Sequence, residues 1–296
     1  MFPTVEEYQT ALLTSREGPL RSLRLEPVLT ATGEVEQETG SYSVVFRMRS
    51  IDDPGQEWAM KCYVADQERR LTSCRAIIEY LTSISSPYLL PLHLYENECY
   101  CQGQYYPIVL LPWVEGDSLV NYVRKWIDAP ERLEKLSHDF GLFACWLRRQ
   151  SFAHGDLKSD NLRIRPQGEL VLLDYDGLYI PTMQGEPPRE EGNPDYTHPL
   201  YQSTDFNEHA GDFALSVIAL SLRALVLSPT LFRDFGGDRH LLLQAKDFIY
   251  PEKSKALQAL STLPYDPYFK RLEQLFREAL ERRNLAHTTP ERFLPL

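Results

Sequence analysis

Between His154 and Gly177 the chain reads His154-Gly155-Asp156-Leu157-Lys158-Ser159-Asp160-Asn161 and then, after twelve residues, Asp174-Tyr175-Asp176-Gly177. Asp156 precedes Asn161 by five positions, and Asp174 follows Asn161 by thirteen. Carboxylates and amides are hard oxygen donors. Magnesium prefers such donors and keeps several waters, so one carboxylate and one amide suffice when nucleotide phosphate oxygens complete the shell. The chemistry served by such a set is phosphoryl transfer, where the protein contributes positioning and charge neutralisation. An aspartate in a turn, taken singly, usually caps or solvates. It is the set at these spacings that points to function.

The elements that must position these residues are readable from periodicity. The apolar run Leu170-Val171-Leu172-Leu173 leads into Asp174 as a strand. Earlier stretches with strand character are 42–49, 57–64, 91–101 and 105–111, with a helical stretch at 66–83 between the second and third. Residues 4–14 read as a helix with Thr4 as N-cap and Glu7 completing a capping box. Residues 15–38 are a polar approach segment. After the turn at Trp113-Val114-Glu115-Gly116 the pattern becomes helical, at 117–127 and 131–150. Short strands follow near 162–165 and 170–173, then helices at 211–228, 238–247, 253–262 and 266–284. The expected class is α+β, with an antiparallel β-rich part followed by a mainly α-helical part. The expected divisions are 1–37, 38–115, 116–284, and a tail, 285–296, that packs irregularly or frays.

Composition sets bounds. At 296 residues, 43% hydrophobic and 25% charged, the chain reads as an ordinary globule of one large or two smaller domains. A formal charge of −11 argues against nucleic acid or an anionic membrane as partner and mildly favours a basic protein. Cys62, Cys74, Cys99, Cys101 and Cys145 form no metal-type pair, which suggests reduced thiols. The first residues are too acidic and polar for a signal peptide, and no apolar run reaches the roughly 18 residues of a membrane span. A cytoplasmic protein is expected.

With its HGDL…N and DYDG loops, the chain resembles the protein kinase superfamily over about residues 38–280. The form is similar to short bacterial serine/threonine kinase-like proteins. The resemblance implies a bilobal kinase-like fold, with residues 38–115 as N-lobe and 116–284 as C-lobe. It also implies ATP and Mg²⁺ as cofactors. Asp156 matches the residue that orients the acceptor hydroxyl and takes its proton, and Lys158 the lysine at the γ-phosphate. Asn161 and Asp174 match the metal ligands, and His154 a histidine packed beneath the loop. Gly40 and Ser41, in Glu38-Thr39-Gly40-Ser41-Tyr42-Ser43, match a glycine-rich loop with one of its three glycines kept. Lys61 matches the lysine on the α- and β-phosphates, with Ala59 against adenine; an unpaired ammonium in its apolar run would be costly. Its partner carboxylate is Glu79, or Glu68. Leu111, Trp113 and Val114 match the hinge, Val45 and Leu162 the purine walls, and Asp117 reaches the ribose. Gly192-Asn193-Pro194-Asp195-Tyr196-Thr197-His198-Pro199 resembles the segment that docks a peptide. Asp212 matches a buried scaffold residue expected to bond backbone N–H groups near His154.

The pattern also departs. Gly155 replaces an arginine, so a phosphate on loop 177–198 lacks an internal clamp, and activity is expected to be independent of phosphorylation there. On that expectation, substituting the loop's Ser, Thr and Tyr residues leaves turnover nearly unchanged. Asp176 stands at a usual glycine and has a supporting role. Leu200 stands at a usual glutamate, so the ion pair that anchors the loop is expected to be missing, and Asn193 stands at a usual threonine. Three readings remain open: a serine/threonine protein kinase, a small-molecule phosphotransferase of the aminoglycoside- or choline-kinase type, and a nucleotide-binding pseudokinase. Lys158 and the 192–199 segment weigh against the second. The intact Lys61, Asp156, Asn161 and Asp174 weigh against the third.

Overall fold

A computed structural model describes residues 2–14, 18–40, 42–64 and 68–295. The chain divides into two compact units, Met1–Val114 and Glu115–Leu296. The first opens with α1 (Val5–Thr14), whose start is fixed by the expected capping box. Thr4 N–H donates to Glu7 Oε2 at 2.8 Å, and Glu7 N–H donates to Thr4 Oγ1 at 3.3 Å. Tyr8 and Leu12 point into the core, where the Tyr8 hydroxyl donates to the Tyr63 carbonyl at 3.1 Å.

Six antiparallel strands follow: β1 (Leu25–Pro27), β2 (Gln37–Thr39), β3 (Ser43–Ser50), β4 (Glu57–Tyr63), β5 (His93–Cys101) and β6 (Gln104–Pro112). They run β1-β3-β4-β6-β5, with β2 also paired to β3. The α-helix α2 (Glu68–Thr82) lies in sequence between β4 and β5. Strand alternation decides what faces where. Val44, Phe46 and Met48 are fully buried with Tyr8, Met60, Cys62 and Ile108 in one core. Cys99 and Cys101 share the buried face of β5, while Tyr100 between them is exposed. The polar approach segment, 15–38, contains the short strand β1 and the start of β2. Glu98 helps hold that segment, its buried carboxylate accepting from Ser22 N, Ser22 Oγ and Leu23 N at 2.7–2.8 Å.

The second unit contains β7 (Asp117–Ser118), α3 (Leu119–Lys125) and α4 (Pro130–Leu147). Next come β8 (Ala153–His154), β9 (Leu162–Ile164), β10 (Leu170–Leu172) and β11 (Leu178–Tyr179). The remaining α-helices are α5 (Asp212–Leu227), α6 (Thr230–Phe235), α7 (Ala245–Ile249), α8 (Lys255–Ser261) and α9 (Pro267–Arg282). Strands pair as β10-β9-β7 and as β11-β8. Nearly every residue of α5 is buried, and α4 and α9 pack on it. Asp266 caps α9, accepting from Phe269 N at 2.6 Å, while Arg223 of α5 binds the same carboxylate and holds it below the usual range.

Three expectations are corrected here. Most of the helix expected at 238–247 is absent: residues 238–244 are not helical, α7 begins only at Ala245, and α6 lies before the expected range. Gly236 and Gly237 follow the end of α6, and a Gln244–Asp247 capping box starts α7. Asp117 and Ser118 are not helical; they pair with Ile164 and Arg163. Of the two alternatives for the tail, irregular packing holds and fraying does not: Leu285 and Phe293 are buried, and the Phe293 carbonyl accepts from the Tyr268 hydroxyl at 2.7 Å. The architecture is mixed α+β, and among the described residues no helix is long and apolar enough to cross a membrane.

Candidate functional site

The turn after β8 is the centre of the second unit's polar chemistry. His154 is fully buried, and its Nε2–H donates to the Leu173 carbonyl at 3.0 Å. Burial pushes its pKa down, so the ring is neutral, and the bond to Leu173 fixes the tautomer. Gly155 follows. Its N–H bonds the Gly177 carbonyl at 3.1 Å, and a Cβ there would lie 2.5 Å from that same oxygen. The arginine expected at this position therefore has no room unless β8 and β11 separate.

Asp156 is 6% exposed, and both carboxylate oxygens are engaged. Lys158 Nζ binds Oδ2, and the Asn193 backbone N–H donates to Oδ1 at 3.1 Å. The Asn161 side-chain amide donates to the Asp156 carbonyl at 2.7 Å and more weakly to Oδ2 at 3.4 Å. This spends the Asn161 nitrogen on Asp156 and orients the amide, so that Oδ1 accepts no bond among the described residues and remains a hard donor. Burial disfavours the Lys158 ammonium, but the Asp156 bond and the charges of Asp156, Asp174 and Glu190 outweigh it and raise its pKa. Lys158 is thus a fixed cation beside a fixed carboxylate.

Asp174 is exposed and left-handed, with φ 56° and ψ 83°. Aspartate tolerates that region better than most residues, and such conformations gather at functional sites. The buried Tyr175 hydroxyl donates to the Leu172 carbonyl at 2.8 Å, closing the turn that presents Asp174. Leu173 N–H bonds the Asn161 carbonyl at 2.8 Å, tying the two expected metal ligands to neighbouring backbone. Among the described residues no three His, Cys, Asp or Glu side chains form a self-sufficient metal centre. One amide oxygen and one carboxylate instead fit a hard cation that takes its other ligands from phosphate and water. Asp176 is half-buried next to Tyr175.

The segment 192–205 is pinned to this turn. Asn193 uses its N–H on Asp156, while its side-chain oxygen accepts from Asp195 N at 2.9 Å. Asp195 accepts from Ala245 N at 2.9 Å at the start of α7, and Tyr196 and Ser159 share a 2.5 Å hydroxyl contact. One expectation falls here, and one absence is compensated. Asp212 does not bond the backbone near His154; its carboxylate takes Arg148 Nε at 2.9 Å, Leu285 N at 2.7 Å and His209 Nδ1 at 3.1 Å. The Arg148 guanidinium at the end of α4 draws it toward the C-terminal segment. The ion pair through position 200 is replaced, because Arg283 pairs with Asp205 at 3.1 Å and also reaches the Leu200 carbonyl.

In the first unit, the sheet face away from the α1 core carries the expected nucleotide residues. Val45 pairs with Lys61, Lys61 with Val109, and Ala59 with both Arg47 and Leu111, which places Val45, Ala59, Lys61 and Leu111 on one face. Lys61 Nζ also lies 5.9 Å from the Tyr63 ring centre. Trp113 donates its backbone N–H to the Glu57 carbonyl at 2.9 Å and its ring lies under Arg47 at 4.9 Å, and Val114 is buried. Gly40 closes the β2–β3 hairpin by bonding Ser43 O at 2.8 Å, so its N–H is spent within the turn. Ser41 and the side chain of Glu68 lie outside the described residues. Glu79 is exposed on α2, and no bond joins it to Lys61, so it is not brought to the lysine. In the second unit, Leu162 is buried in the β9–β10 hairpin, and the Asp117 carboxylate is held by Lys125 at 2.9 Å. Sequence reasoning missed Ser159, Asp205 and Arg283 as contributors; each acts through a partner 37 or 78 residues away.

No protein-family model matches this chain. No curated protein matches it either. The functional reading therefore stands on the geometry.

Proposed function

We propose that this chain is an ATP- and Mg²⁺-dependent phosphotransferase of the bilobal protein-kinase-like kind, moving a γ-phosphate to a serine or threonine hydroxyl of a protein. The observation that carries the reading is the arrangement at the turn. A buried carboxylate is oriented by Lys158, Asn161 and a backbone N–H, and the amide oxygen of Asn161 is left over for a hard cation. Asn161 and Asp174 would hold the magnesium, which supplies neutralisation of phosphate charge when bound. Asp156 accepts the hydroxyl proton through an oxygen held still by its neighbours. Lys158 balances charge that develops on the transferred group. Lys61, with Val45, Ala59 and Leu111 on its sheet face, is assigned to the nucleotide. The excess of acidic residues favours a basic protein as acceptor.

The test is transfer of label from ATP, with Mg²⁺, to the protein itself and to a generic basic protein, beside Asp156→Asn and Asp174→Asn. Asp156→Asn should lose turnover while keeping ATP affinity, and Asp174→Asn should lose the metal-dependent part of that affinity. Binding of ATP without transfer to any acceptor would replace this reading with a pseudokinase, and transfer only to small hydroxyl compounds with a metabolite kinase.

A further inference from the structure

Ser159 and Tyr196 carry an inference that goes past the proton acceptor and metal ligands. Ser159 is fully buried and opens the single turn Ser159–Asn161, lying between Lys158 and Asn161. Its hydroxyl meets that of Tyr196 at 2.5 Å. Tyr196 is 4% exposed, and its O–H also donates to the Arg239 carbonyl at 3.2 Å. A phenol has one proton and a carbonyl only accepts, so Ser159 is the donor in the shared contact. Burial raises the Tyr196 pKa, so the hydroxyl stays protonated and able to make both bonds. The backbone supports the ring, with Tyr196 N–H on the Asn193 carbonyl at 2.9 Å and Asn193 N–H on Asp156.

We propose that Tyr196 is a positioning residue, latching the 192–196 segment to the turn that carries Lys158 and Asn161 through the buried Ser159 hydroxyl. One phenol thus links three stretches of chain: the 156–161 turn, the 192–198 segment and residue 239. Where Gly155 leaves no guanidinium to clamp a phosphate, this neutral latch holds the segment without modification. The sequence-based expectation that hydroxyls of loop 177–198 are dispensable does not extend to Tyr196, whose oxygen is a structural bond and out of reach of a phosphate donor.

Tyr196→Phe, Ser159→Ala and the double variant test it in the full-length chain. The turnover arm rests on the proposed kinase reading; an exchange arm does not. Each single variant should lower kcat roughly ten-fold, the scale of one buried hydrogen bond, with KM for ATP unchanged. The double variant should be no worse than the poorer single one, because both remove the same contact. Amide hydrogen exchange should quicken at 192–196 and 158–161 and stay unchanged in α5. Additive losses, an unchanged kcat in an active enzyme, or unaltered exchange at both segments would overturn the proposal. If the wild type transfers no phosphate the kinase reading fails, and the exchange arm alone then decides whether the latch exists.

Discussion

Replacing Gly155 by alanine is the sharpest probe of the turn. The added Cβ would sit 2.5 Å from the Gly177 carbonyl oxygen and 3.1 Å from the Phe206 ring. Real Cβ atoms essentially never come closer than 3.0 Å to such an atom, so β11 must retreat by at least about 0.5 Å. The same oxygen accepts the Gly155 N–H at 3.1 Å, so the retreat stretches a bond that closes the β8–β11 pair. Overpacking and the weakened bond together cost about 1–3 kcal/mol. For a unit of this size that lowers Tm by about 2–12 °C. Asp156 is the next residue, and displacements of this order cost roughly ten-fold or more in turnover. Gly177→Ala is the control, since its Cβ would meet Asp156 Cβ at an ordinary 3.4 Å, and little change is expected. Thermal melts and label-transfer rates of both variants give the answer. Equal stability of Gly155→Ala and Gly177→Ala would refute the argument that close backbone approach excludes a side chain at Gly155.

Two further outcomes follow from the C-terminal anchor. Asp212→Asn leaves the buried Arg148 guanidinium, 4% exposed, without its full counter-charge; breaking such a pair costs about 3–5 kcal/mol, read as a lower denaturation midpoint. A loss under about 1 kcal/mol would mean that the pair is already solvated. His209 is raised above its usual pKa, first by its bond to Asp212, so its protonated form stabilises the fold. That contribution is complete below the unfolded pKa and disappears as pH rises through the raised folded value. His209→Gln should therefore lower Tm at about pH 5.5, where proton activity is roughly ten-fold above that at the histidine reference, and have little effect at about pH 9. An equal loss at both pH values would contradict the linkage.

What the sequence disclosed, and what it hid, follows from the range of each interaction. The start of α1 was legible because its capping box spans three residues. The strands β3, β4 and β6 were legible because alternation or an apolar run marks them locally. The strands β1 and β2 are three residues each, and only pairing with β3 makes them strands. At the site, the types and spacing of Asp156, Lys158 and Asn161 announced their grouping, since they lie within six consecutive residues. The 78-residue separation of Asp205 from Arg283 leaves no local trace. Glu79 is matched to Lys61 only through the resemblance, which does not fix the face of α2 it occupies.

Several departures from the resemblance that look like losses in the sequence have replacements in the folded chain. Gly155 is required by backbone contact with Gly177, whose carbonyl leaves no space for a side chain there. Asn193 reaches Asp156 with its backbone N–H and spends its side chain on the turn that aims that N–H. Asp205 supplies the partner for Arg283 that Leu200 cannot. A site drifting away from function is under no pressure to regain supporting contacts that it loses. Here the segment beside Asp156 is held by the Asn193 N–H, the Asp195 cap on α7, the Tyr196 hydroxyl and the Arg283 pair. That density of support around one buried carboxylate is the reason the proposed transferase reading is preferred to the pseudokinase alternative.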